Sequence, residues 1–73
     1  MAQVKVLAEI GGAVWKILVR AGDRVEDEQP VAILESMKME IPVLATRKGT
    51  VVAVPVHEGQ SVAEGQVVAV IEV

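Results

Sequence analysis

Displaced by 37 positions, the 73-residue chain matches itself without a gap, residues 1–36 falling on 38–73. Val6-Leu7-Ala8 lies on Val43-Leu44-Ala45, Gly12 on Gly49, Val14 on Val51, Val19 on Val56 and Gly22 on Gly59. Further along, Val25 lies on Val62, Gln29 on Gln66, Val31-Ala32 on Val68-Ala69 and Glu35 on Glu72. These are 12 identities, and others, such as Ile33 on Val70, are conservative. A repeat restricts the fold more than composition does, because one unit must be built twice and the copies must cover each other's apolar faces. A chain of this size buries only about 60% of its unfolded surface, so neither copy has the material for a separate core. Residues 1–73 therefore read as one small domain made by duplication.

The residue types say what the unit is made of. Valine supplies 16 positions, Phe and Tyr are absent, and there is one Trp. Such β-branched enrichment favours strands over helices. Each copy reads as strand, turn, strand, loop, strand. The turns carry Gly11-Gly12 and Lys48-Gly49, and the loops are Ala21-Gly22-Asp23-Arg24 and Glu58-Gly59-Gln60-Ser61. Pro30 and Pro55 suit a strand start or an edge. Val52, Val54 and Val56 alternate as residues sharing one face of a strand. Short strands with turn signals every 8–12 residues predict an all-β sandwich or barrel.

Charge and composition exclude several roles. The net charge of −3 and the absence of a basic stripe argue against nucleic acid. The longest apolar run, Val51 to Val56, is too short to span a bilayer, and Met-Ala-Gln-Val-Lys-Val lacks the apolar stretch of a signal peptide. The expected location is the cytoplasm. There is no cysteine, and His57 alone cannot supply a metal site.

The unique junction of the repeat is Glu35-Ser36-Met37-Lys38-Met39-Glu40, with strand-like sequence on both sides. The hairpin turn falls near Met37-Lys38. Two-residue turns favour Asn-Gly or Asp-Gly because their central residues need positive φ. Met-Lys is a poor choice for that backbone, so its side chains are retained for something other than the turn. A Schiff-base or general-base lysine needs burial or neighbouring positive charge. Glu35 and Glu40 are negative and a hairpin tip is wet, which leaves a charged amine and a poor nucleophile. Such a lysine suits acylation by an external enzyme that brings an activated donor.

Glu35-Ser36-Met37-Lys38-Met39 resembles the attachment motif of biotinyl domains, with Ser36 where alanine is usual. The resemblance covers essentially the whole chain, including Gly22 to Val25, and points to the biotinyl/lipoyl attachment family. It implies a flattened β-barrel of two four-stranded antiparallel sheets with pseudo-twofold symmetry and Lys38 on an exposed hairpin. Lys38 would be biotinylated by a biotin protein ligase using biotinyl-adenylate. Met37 and Met39 would serve recognition, with Glu35, Ser36 and Glu40 as the flanking motif. The chain would be a monomeric carrier rather than an enzyme, shuttling carboxylate between biotin carboxylase and carboxyltransferase components. Lipoate is the alternative cofactor. Lipoyl domains share the barrel but usually carry Asp-Lys-Ala, so the two methionines favour biotin. The stretch Val19 to Val31 is too short for the thumb loop found in some biotin carriers, and Glu9 stands where large carboxylases often have proline. From a different class, the exposed methionines could dock a partner with no modification at all.

Three other features have plainer readings. His57 is a surface polar residue. Trp15 is a core plug or a partly covered rim residue, with docking as a lesser option. Asp23, Glu26, Asp27 and Glu28 form a solvated acidic loop able to steer a basic partner, and their spacing matches no calcium loop.

Overall fold

Valine-rich segments pair readily because branched side chains pack on a pleated surface. The computed structural model, which describes residues 2–73, contains only strands and turns. They are β1 (Gln3–Leu7), β2 (Gly12–Ile17), β3 (Arg24–Val25), β4 (Pro30–Ser36), β5 (Met39–Leu44), β6 (Gly49–Ala53), β7 (Ser61–Val62) and β8 (Val67–Glu72). Two four-stranded sheets form, in the orders β1-β8-β6-β3 and β5-β4-β2-β7. Every pairing is antiparallel. Advancing each strand of the first sheet by one repeat gives the second. The register follows the same operation: Gln3 faces Glu72 and Val4 faces Ile71 in one sheet, while Glu40 faces Glu35 and Ile41 faces Leu34 in the other. This is the flattened, pseudo-twofold sandwich implied by the motif resemblance.

The core explains much of the repeat. The buried apolar residues are Val6, Ala8, Val14, Val19, Val25, Val31, Ala32 and Leu34 from one copy. Val43, Ala45, Val51, Val56, Val62, Val68, Ala69 and Ile71 from the other are their exact repeat partners. Leu34 with Ile71 is the one pair that differs. Each copy thus contributes an equal half of one core, and neither half closes without the other. No polar or charged residue is buried among the described residues.

Backbone hydrogen bonds stitch the copies together in matched pairs. Gly22 N–H donates to the Val51 carbonyl as Gly59 N–H donates to that of Val14, each 2.8 Å. The glycines adopt φ of 98° and 90°, which a side chain would resist. Gln29 Oε1 accepts from Glu26 N–H and Gln66 Oε1 from Ala63 N–H, closing the equivalent turns before β4 and β8.

The three-strand reading of each copy needs correction. A further two-residue strand, β3 or β7, lies in each loop region, and two residues are too few to show a period. Gly12 and Gly49 open β2 and β6 rather than sitting in the turns. The alternation assigned to Val52, Val54 and Val56 also fails. The register shifts between Val51 and Ala53, and β6 ends at Ala53, so Val52 is exposed while Val51 and Val56 are buried. The repeat-related shift in β2 turns Trp15 outward, 42% exposed, with Lys16 Nζ 5.7 Å from its ring centre. Trp15 is therefore a rim residue and not a core plug.

Sheet edges are protected. The edge strands β3 and β7 are two residues long, and the longer edges β1 and β5 carry Lys5 and Pro42 at equivalent positions. The molecule measures 37 by 17 by 17 Å. The C-terminal ends of β1 and β5 approach each other at its waist, where Leu7, Glu9, Leu44 and Thr46 line one cleft. The beginnings of those strands consequently point to opposite poles. One pole carries the β4–β5 turn. At the other, Val73 N–H donates to the Ala2 carbonyl at 3.0 Å, bringing the ends of the described chain together.

Candidate functional site

The β4–β5 turn is dictated from below. β4 is flanked by β5 and β2, and its Val31, Ala32 and Leu34 are locked in the core, so its register cannot slip without exposing them. Pairing with β5 continues to Ser36 opposite Met39, leaving only Met37 and Lys38 to reverse the chain. Both adopt positive φ, 53° and 66°, as a mirror-image two-residue turn requires. The sandwich thus holds two non-glycine residues in a backbone they do not favour, and strain of this kind concentrates at functional sites.

The result is a projecting amine between two thioethers. Met37 is 93% exposed, Met39 is 64% exposed, and Lys38 is also exposed. Beneath them Glu35 faces Glu40 directly across the strands, both exposed. Like charges opposite each other destabilise a sheet, but here they add negative potential below the ammonium. The repeat partner of this pair is Glu72 facing Gln3, so the double carboxylate occurs only at the Lys38 pole.

Ser36 is half-buried at the base of the turn, beside Gly12 of β2. A Cβ on Gly12 would stand 2.7 Å from the Glu35 carbonyl oxygen and 3.3 Å from Ser36 Cβ. Gly12 therefore lets β2 press against the hairpin and stiffen its root. Sequence reading took this glycine for a turn residue. Its signal was the match with Gly49, which makes the same close approach to the Glu72 carbonyl.

The hexapeptide residues Glu35 to Glu40 are thus gathered at one pole. The remaining candidates lie apart from it. His57 is exposed in a loop, its backbone N–H donating to Gln60 Oε1 at 3.2 Å. Asp23 accepts from Arg20 N–H within its own turn. The acidic loop builds no metal site: among the described residues, no three His, Cys, Asp or Glu side chains converge to hold one. No helix among them is long and apolar enough to cross a membrane.

With the geometry in place, known proteins can be compared. A family model described as "Biotin-requiring enzyme" matches residues 2–71. The biotin/lipoyl attachment protein of Bacillus subtilis is 54% identical over 59 residues, 81% of each chain. The biotin carboxyl carrier protein of Streptococcus mutans is 47% identical over 58 residues, which are 80% of this chain and 45% of that one. Among solved structures, the urea carboxylase of Kluyveromyces lactis superposes with a TM-score of 0.92 at 36% identity. That match covers 99% of this chain and 6% of the carboxylase.

Proposed function

The chain belongs to the biotin/lipoyl family of biotin-requiring enzymes, and on that premise we propose that it is a biotin carboxyl carrier whose attachment point is Lys38. The observation that carries the assignment is the exposed Met37-Lys38 turn, held at positive φ at the unique junction of the duplication. The residues fit the group: a primary amine projects with nothing in the fold closing over it.

Lys38 Nζ, deprotonated by the ligase, attacks the acyl carbon of biotinyl-adenylate. A carbon–nitrogen bond forms, the acyl–oxygen bond breaks, and AMP leaves with the electron pair. Met37 and Met39 offer adaptable apolar contacts to the ligase, and the Glu35–Glu40 pair offers it a negative landmark. Once attached, biotin supplies a ureido nitrogen able to accept and surrender a carboxylate. The chain's own task is to present and not to catalyse. A stiff barrel keeps the turn projecting, and tethering raises the local concentration of the arm at each partner site. Partners under this reading are a biotin protein ligase, a biotin carboxylase and a carboxyltransferase, met in the cytoplasm by a monomeric single domain.

Intact-mass analysis after co-expression with an active ligase tests the assignment. One biotinyl group per chain is expected, and none on Lys38→Arg. A bare wild-type chain, or a labelled variant, refutes it. A lipoyl mass in place of the biotinyl mass reassigns the cofactor while keeping the lysine.

A further inference from the structure

Most strand pairings join one copy of the repeat to the other: β1 with β8, β2 with β7, β3 with β6 and β4 with β5. The whole covalent link between the copies is Met37-Lys38, the turn between β4 and β5. That link is also where the backbone is strained. Gly22, Gly59 and Gly65 take positive φ as glycines, at little cost, whereas Met37 and Lys38 take 53° and 66° with side chains attached. Short strained links of this kind invite chains to exchange the elements they join.

The register permits such an exchange. β4 and β5 pair as Ile33 with Pro42, Leu34 with Ile41, Glu35 with Glu40 and Ser36 with Met39. When the turn opens, β4, the link and β5 become one continuous strand. Laid antiparallel to the same strand of a second copy, the next step of the ladder sets Met37 of each chain opposite Lys38 of the other. No residue is inserted or left over, and both link residues return to extended φ.

From these observations we infer that the chain exchanges halves with a second copy of itself, forming a dimer in which residues 2–37 of each chain close on residues 38–73 of the other. Such a dimer recovers the buried core and every strand pairing of the monomer. The balance therefore turns on strain released at two links, which favours exchange, and freedom lost on association, which opposes it. Dilution favours the monomer and concentration the dimer. Neither half closes a core alone, so exchange passes through the unfolded chain, and a dimer once formed persists on dilution. The two sandwiches lie pole to pole. One consequence rests on the attachment proposed above: exchange withdraws the acceptor lysine from its projecting turn into a ladder.

The test refolds the chain from denaturant at rising protein concentration and weighs the products by size-exclusion chromatography with light scattering. Concentrated refolding should yield dimer. Gln3 and Glu72 face each other across β1 and β8, and the chain has no cysteine of its own. In the Gln3→Cys, Glu72→Cys variant, oxidation should therefore join the chains of the dimer covalently and leave each monomer bridged within itself. Met37→Asn with Lys38→Gly should raise the dimer's dissociation constant at least about thirtyfold, because the strain that drives exchange is absent from both links. Lys38→Pro, whose ring forbids φ of 66°, should shift the product toward dimer. Refolding that yields only monomer, a dimer whose disulfides all lie within chains, or a dimer equally abundant in the Asn-Gly variant overturns the exchange. Ligase labelling of the separated fractions tells the two readings apart. A labelled monomer beside a more slowly labelled dimer supports both, and equal labelling removes the masking of Lys38. A bare monomer overturns the Lys38 attachment and leaves the exchange standing.

Discussion

Replacing Met37-Lys38 by Asn-Gly should make the protein more stable. Both residues sit at positive φ, 53° and 66°, a region that costs a residue with a side chain about 1–2 kcal/mol. Glycine removes that cost but returns about 0.5–1 kcal/mol through the greater freedom of the unfolded chain. Asparagine tolerates the left-handed region better than methionine does. Neither native side chain contributes burial to offset the change, since Met37 is 93% exposed and Lys38 is exposed as well. The double substitution Met37→Asn with Lys38→Gly should therefore stabilise by about 1–2 kcal/mol. For a domain of this size that raises the melting temperature by about 6–12 °C. Urea titration and thermal unfolding followed by circular dichroism measure it, with Lys38→Arg as a neutral control. Glu28→Gly, at φ 65°, should give about half the gain by the same reasoning. An unchanged or lowered midpoint in both variants would show that these positions carry no strain, and the inference that side chains were retained there against the backbone would fail.

Three further outcomes can be checked with the same titrations. Gly49→Ala should destabilise by about 1–3 kcal/mol, because its Cβ would drive into the Glu72 carbonyl and Ile71. Gly12→Ala, with 2.7 Å to the Glu35 oxygen, should cost less. Leu34→Ala should cost about 2–5 kcal/mol because Leu34 is 1% exposed, whereas Met37→Ala should stay within about 0.5 kcal/mol. Gln29→Ala and Gln66→Ala should each lose about 0.5–1.5 kcal/mol, the value of the turn-closing hydrogen bonds at 2.9 and 3.1 Å. The two turns are separate, so their effects should add.

Seven of the repeat identities are now explained by the core: Val6, Ala8, Val14, Val19, Val25, Val31 and Ala32 each match a buried partner. Packing allows little freedom in shape at such positions, so one sequence compared with itself reveals them. The Met-Lys turn was legible for the opposite reason, as a local preference contradicted by its surroundings. β3 and β7 escaped notice because a two-residue strand has no period. Trp15 and Val52 were misplaced because a register shift reverses alternation partway along a strand. The waist cleft draws on four separated stretches of chain, and only the fold brings Ile10 and Ile41 into one lining.

The meeting of Ala2 with Val73 at the pole away from Lys38 makes the module easy to splice. A larger polypeptide can enter and exit through a single doorway without disturbing the sandwich between. Whatever is joined there lies at the far end of the molecule from the Met37-Lys38 turn. Matches to this chain span 6% of a urea carboxylase and 81% of a small attachment protein, two settings that entry and exit at one pole would serve equally.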